Sequence, residues 1–205
     1  MKESCAIMAA KTRFSDIEIS ITRLNEEDRE ELSSFSCGVD KLDDFFHNDI
    51  FLCSKYHYFS SYCARKVDTG EIIAIFTLSN DAMIIDNSDD KEEFIQQSSS
   101  RFNDEYIPIF RSQTSFPAIN IGHLGVRKDM QSKGVGEQIL DFVTNTFISY
   151  DITGCQFITV DSLNSEDKRA NKFYSRYGFL YQTDTDIALP TRRMYLTLEL
   201  YRIEA

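Results

Sequence analysis

The chain has 205 residues, of which 42% are hydrophobic and 27% charged, and it contains three prolines. This is enough chain for one large domain or two small ones with a sizeable core, and the composition excludes a disordered protein. A formal net charge of −11 makes it a poor nonspecific partner for nucleic acid. No apolar run approaches the roughly 18–20 residues of a membrane span.

Residues 1–16 are expected to be a loose N-terminus inside a single domain covering 1–205. MKESCAIMAAKTRF carries Glu3 early and has no h-region, so it does not read as a signal peptide, and the chain is expected in the cytoplasm. Cys5, Cys37, Cys53, Cys63 and Cys155 are odd in number and lack a C-x-x-C pair. Such spacing fits neither a disulfide framework nor a zinc site, so no metal is expected and the thiols read as small buried hydrophobes. Cys37, beside Gly38 in a loop, is the exception.

Ile17, Ile19 and Ile21 alternate with polar residues and predict the first strand. Asn25 can cap a short helix to Leu32, whose first turn is acidic. Asp40 can cap a second helix with Leu42, Phe45, Phe46, Ile50 and Leu52 on its apolar side. Strands over Tyr58–Arg65 and Glu71–Leu78 flank VDTG, a hairpin turn. Residues 83–116 read as an insertion with some helix, packed through Phe94, Ile95, Phe102, Ile107, Ile109 and Phe110. Its acids, among them Asp86, Asp89, Asp90, Glu92 and Glu93, read as a solvated loop, with an acidic recognition face as the alternative. Thereafter a strand is predicted over Ala118–Val126, a helix over Gly134–Tyr150, a strand over Gln156–Val160, a helix over Glu166–Tyr177 and a strand over Arg193–Leu200. This succession implies an α/β (α+β) sheet with mixed strand directions.

The segment INIGHLGVRKDMQSKGVGEQILDFV carries the chemistry. A strand runs into a polar loop, then Gln131-Ser132-Lys133-Gly134-Val135-Gly136, where an amphipathic helix begins. Amides of a first helical turn lack intrahelical acceptors and stand at the positive end of the macrodipole, so the turn is suited to a pyrophosphate. Arg127, Lys128 and Lys133 add positive charge. A plain strand-to-helix loop accounts for the glycines equally well, and the pattern is neither a P-loop nor a dinucleotide fingerprint.

The same residues resemble the acetyl-CoA loop of the GNAT superfamily, Q/R-x-x-G-x-G/A, through Gln131, Gly134 and Gly136, preceded by Leu124-Gly125-Val126. Downstream, DKRANKFYSRYGF is similar to the family's A-x-x-h-Y-x-x-x-G-F helix end, filled by Ala170, Phe173, Tyr174, Gly178 and Phe179. FSCGVDKLDDFF, from Phe35 to Phe46, is similar to the opening of a GNAT subgroup that includes toxins acetylating aminoacyl-tRNA.

This resemblance implies the GNAT fold, a twisted mixed sheet of about six to seven strands with a splayed parallel pair, flanked by helices. It implies acetyl-CoA as co-substrate and direct acetyl transfer to an amine of a small molecule, peptide or protein, and a homodimer through the C-terminal strand. Two alternatives are charged tRNA as acceptor and an acyl-CoA-binding module without turnover. The tRNA alternative needs a basic rim, for which Arg101, Arg111, Lys172, Arg192 and Arg193 are candidates. Cofactor contacts are expected from Leu124, Val126, Gln131, Ser132, Lys133, Gly134, Val135, Gly136 and Asn171. Tyr174 is the expected general acid, protonating the CoA thiolate. His123 is either the base or a structural strand histidine.

Overall fold

The six predicted strands form with shifted ends, a short further strand is added to them, and the computed structural model describes residues 17–97, 104–149 and 153–199. In chain order these are β1 (Ile19–Arg23), a 3₁₀ turn (Glu26–Asp28), α1 (Arg29–Leu32), α2 (Asp40–Asn48), α3 (Ile50–Lys55), β2 (Ser60–Lys66) and β3 (Ile72–Ile84). Then come α4 (Ser88–Gln97), α5 (Ile107–Ser112), β4 (Ser115–Val126), α6 (Val135–Ser149), β5 (Phe157–Leu163), α7 (Arg169–Tyr177), β6 (Leu180–Tyr181) and β7 (Thr191–Thr197). Among the described residues the sheet has seven strands, in the order β1-β2-β3-β4-β5-β7-β6. It is mixed: β4 and β5 are parallel, while β1–β2, β2–β3, β5–β7 and β6–β7 are antiparallel. This is the mixed α/β sheet with a parallel pair that the resemblance implies.

The chain divides into two compact units, one of residues 1–79 and 122–143, the other of 80–121 and 144–205. In the first, the hairpin of β2 and β3 turns at Gly70, whose amide donates to the Lys66 carbonyl at 2.8 Å. Seven consecutive residues of β3, from Ile72 to Leu78, are buried, the mark of a strand covered on both faces. Leu32, Phe35, Phe46, Ile50, Phe51 and Ile75 belong to its core cluster. Phe46 is fully enclosed, and burying such a ring is worth about 1.5–3 kcal/mol.

The second unit is centred on aromatic rings. Phe94 stacks on Phe110 at 5.1 Å and Phe110 on Phe116 at 4.4 Å, with Phe157 edge-on to both Phe94 and Phe116. Residues 83–116 therefore contain α4 and α5 and supply core through Phe94, Ile95 and Phe110, with Ile107 packed against them, whereas Ile109, also expected to pack, is 56% exposed. Phe102 and Arg101, like the 1–16 segment, Cys5, Tyr150 and Leu200, lie outside the described residues.

Several boundaries differ from expectation. The predicted helix from Asp40 through Leu52 is two helices, α2 and α3, meeting at Asp49, and Asp40 is the first helical residue, with extended Val39 as the N-cap. The break turns Ile50 and Phe51 inward and leaves Leu52 56% exposed. β3 runs on to Ile84, into the expected insertion. The helix expected from Glu166 starts at Arg169, because Lys168 takes a left-handed φ of 51°. No helix among the described residues is long and apolar enough to cross a membrane.

Candidate functional site

The β4–α6 connection lies in the first unit and is built from the end of β4 outward. Gly125 sits where a Cβ would stand 2.5 Å from Phe46 Cε2 and 3.3 Å from Cys37 Cβ. Only a glycine lets this strand end approach α2 so closely. Beyond Val126 the chain makes a 3₁₀ turn, Lys128–Met130, and then turns through Ser132 (φ 62°) and Gly134 (φ 83°) into α6 at Val135. At Gly134 the left-handed φ would cost any other residue backbone strain. The first amide of α6 bonded back along the helix is that of Gln138, to the Gly134 carbonyl at 3.1 Å. Helix geometry therefore leaves the preceding amides, through Glu137, without intrahelical acceptors. Ser132 and Lys133 are exposed, whereas Gly134, Val135 and Gly136 are buried.

The Gln131 side chain is occupied within the protein. Its Nε2 donates to the Val126 carbonyl at 2.9 Å and to the Cys37 carbonyl at 2.7 Å, so it ties the loop across its own base. Leu124 and Val126 are half-buried on β4. The positive charge expected from Arg127 is largely cancelled: its guanidinium pairs with Asp129 at 2.7 Å and lies 3.5 Å from Glu71. Arg127, Glu71, Asp129, Glu31 and Phe35 line a cavity of about 550 Å³ that none of the predicted site residues borders.

His123, also on β4, is half-buried. Its ring stacks on Phe45 and its Nδ1 lies 3.0 Å from the Thr77 hydroxyl. Burial lowers its pKa from the ordinary 6.5, so the imidazole is neutral at pH 7.

In the second unit, Tyr174 lies buried on α7, edge-on to Phe173 and Phe179. Gly178 ends the helix, its amide and that of Phe179 both donating to the Tyr174 carbonyl. Burial raises the phenol's pKa, so the hydroxyl keeps its proton across the physiological range. Asn171, one turn earlier, is fully buried and accepts from the Ser162 hydroxyl at 2.5 Å while donating to the Asn164 Oδ1 at 3.1 Å. Asn164 in turn donates to the carbonyls of Ile187 and Leu189. Nothing in the spacing of the sequence pointed to Asn164; its partners are remote along the chain.

The described arginines proposed for a basic rim are paired. Arg192 bonds Asp186 at 2.9 Å and is itself buried, Arg193 bonds Asp161 at 2.9 Å and also Asp81, and Arg111 bonds Glu92 at 2.7 Å. Lys172 is exposed on α7.

Comparison with known proteins adds the following. Residues 100–180 match the family model for the acetyltransferase (GNAT) domain. No curated protein matches the chain. Among solved structures, a tyrosine-to-phenylalanine mutant of the AtaT toxin, bound to the C-terminus of the antitoxin AtaR and acetyl-CoA, is similar at TM-score 0.65 and 14% identity, over 91% of this chain and 97% of that one. A tyrosine-to-phenylalanine mutant of KacT gives 0.65 and 18%, over 91% and 98%. AtaT complexed with acetyl-methionyl-tRNAfMet gives 0.67 and 14%, over 91% and 99%. At these identities the likeness is one of fold.

Proposed function

We propose that this chain, whose residues 100–180 match the acetyltransferase (GNAT) domain model, transfers acetyl from acetyl-CoA to an amine of a small molecule, peptide or protein. The observation that carries the reading is the β4–α6 turn. Left-handed Ser132 and Gly134 deliver the chain into a helix whose first amides have no intrahelical acceptor, as a diphosphate requires. Backbone groups of Leu124 to Val126 would hold the pantetheine arm and polarise the thioester carbonyl. The Gln131 side chain supports the turn from below, and Ser132 through Gly136 meet the diphosphate.

In the proposed step, a neutral amine nitrogen bonds to the thioester carbonyl carbon. The carbon–sulfur bond then breaks, the sulfur leaves with the electron pair, and Tyr174 gives it the hydroxyl proton. The amine's surplus proton passes to water or to His123. The buried phenol is protonated at pH 7, as a proton donor must be before the step. Asn171 ties α7, the helix that carries Tyr174, to β5 through Ser162.

The acceptor assignment rests on charge. A protein at −11 attracts cationic amines, and the described arginines that a tRNA backbone would need are already bound to carboxylates. Charged tRNA remains the second reading, favoured by the Phe35–Phe46 motif and by the fold shared with AtaT. Mass spectrometry of the purified protein with acetyl-CoA and an amine panel that includes aminoacyl-tRNA decides between them. A 42-Da gain on a small or peptide amine supports the first reading, and a gain confined to aminoacyl-tRNA supports the second (42 being roughly the mass of an acetyl group replacing a proton in the acyl-transfer step). Binding without any transfer leaves the non-catalytic module.

A further inference from the structure

Fixed positions of the Phe35–Phe46 motif are left unused by the chemistry above, and Asp43 is where the local geometry converges. Its carboxylate accepts from the Ser36 hydroxyl at 2.6 Å, the Cys37 amide at 2.8 Å and the Gly38 amide at 3.3 Å. Burial works against the charged form, yet the hydrogen bonds from Ser36 and Cys37 hold its pKa below the usual carboxylate value. A charged acceptor with several donors from one loop fixes that loop's backbone. Burial, with Asp43 alongside, pushes the neighbouring Cys37 thiol up to about 12, which leaves it an inert packing group.

The loop held in this way is joined to the β4–α6 connection. The Cys37 carbonyl accepts from Gln131 Nε2 at 2.7 Å, and the Ser36 carbonyl accepts from the Lys128 amide at 2.9 Å. Gly38 packs on the Lys128 stem, where a Cβ would stand 3.6 Å from Cδ. A continuous line of bonds thus runs from Asp43 through Ser36–Gly38 to Lys128 and Gln131, at the head of the turn assigned to the diphosphate.

We infer that Asp43 is a positioning residue for acetyl-CoA, acting through the Ser36–Gly38 loop to set where the Gln131–Gly136 turn stands. The inference rests on the acetyl-CoA reading above. Removing the acceptor frees three donors to turn toward water and lets the Cys37 carbonyl drift from Gln131, so the cost falls on cofactor affinity as well as on stability.

Calorimetric titration of acetyl-CoA into the full chain tests it, with thermal unfolding recorded for each variant. Asp43→Ala is expected to weaken binding about tenfold, and Asp43→Asn, which keeps one acceptor oxygen, about threefold. Ser36→Ala, an exposed site that leaves the fold intact, is expected to weaken it about twofold to threefold. Combining Asp43→Ala with Gln131→Ala should cost less than the two changes added, since both break one line. The inference is overturned if folded Asp43→Ala binds as wild type does; if Asp43→Ala does not fold, unchanged binding by both Asp43→Asn and Ser36→Ala overturns it. Should wild type itself not bind acetyl-CoA, the acetyltransferase reading falls first and this inference with it.

Discussion

The imidazole of His123 lies flat on the ring of Phe45, centroids 3.9 Å apart and planes 11° from parallel. Phe59 meets the same imidazole edge-on at 5.8 Å. The Thr77 hydroxyl accepts from the His123 amide at 3.0 Å and lies 3.0 Å from Nδ1. A hydroxyl has two lone pairs, so it can receive both N–H groups, leaving Nε2 unprotonated, which is the tautomer a base requires. A strand histidine thereby has a structural use, and its proposed use as a base needs the tautomer with Nδ1 protonated.

Because burial lowers this pKa, the His123 ring should titrate in the folded protein with a midpoint below 6.5. The sign for stability follows. Between the folded midpoint and 6.5 the unfolded chain holds the extra proton, so stability is complete above 6.5 and declines as pH falls through that window. NMR titration of the ring checks this, and a midpoint at or above 6.5 would refute it. Deprotonated Nε2 in the nitrogen shifts at pH 7 would support the base assignment.

Replacing Tyr174 by phenylalanine removes the hydroxyl proposed as proton donor and keeps the ring against Phe173 and Phe179. Acetyl transfer should drop by roughly 10²–10⁴-fold, with acetyl-CoA binding retained. Steady-state rates and calorimetry on the same preparation separate the two. Equal rates for variant and wild type would remove Tyr174 from the mechanism.

A methyl group at Gly125 would meet Phe46, whose ring is enclosed and cannot withdraw. Gly125→Ala should therefore destabilise the fold by about 1–3 kcal/mol. At this chain length that lowers Tm by roughly 2–4 °C per kcal/mol. An unchanged Tm would mean that β4 and α2 separate easily.

Gly134→Ala tests the turn differently. With φ at 83°, an alanine costs about 1–2 kcal/mol in backbone strain. The turn relieves that strain by shifting, so acetyl-CoA affinity should fall beyond what the stability loss explains. Calorimetry on folded variant checks this, and wild-type affinity would argue against a diphosphate on these amides.

Much of this arrangement was legible in the sequence. Alternation located β1, β-rich apolar runs located β2 to β5 and β7, glycine marked the VDTG hairpin, and the two motifs located the start of α6 and the end of α7. What was not legible depends on remote partners. The break at Asp49 follows from which residues the core accepts, Ile50 and Phe51 but not Leu52. β6 is too short, at Leu180–Tyr181, to leave a period. Arg192 and Arg193 read as basic charges until Asp186, Asp161 and Asp81 are seen beside them. Gln131 matches a cofactor motif, yet its amide is spent on Cys37 and Val126. That contact spans most of a hundred residues, beyond any local pattern.

The most direct test follows the backbone amide signals by two-dimensional NMR while acetyl-CoA is titrated into the protein. If the β4–α6 turn grips the diphosphate, the amides of Ser132 to Glu137 shift first and furthest, accompanied by Leu124 to Val126. Shifts confined to other segments, or saturation with those amides unmoved, would contradict the account at its base.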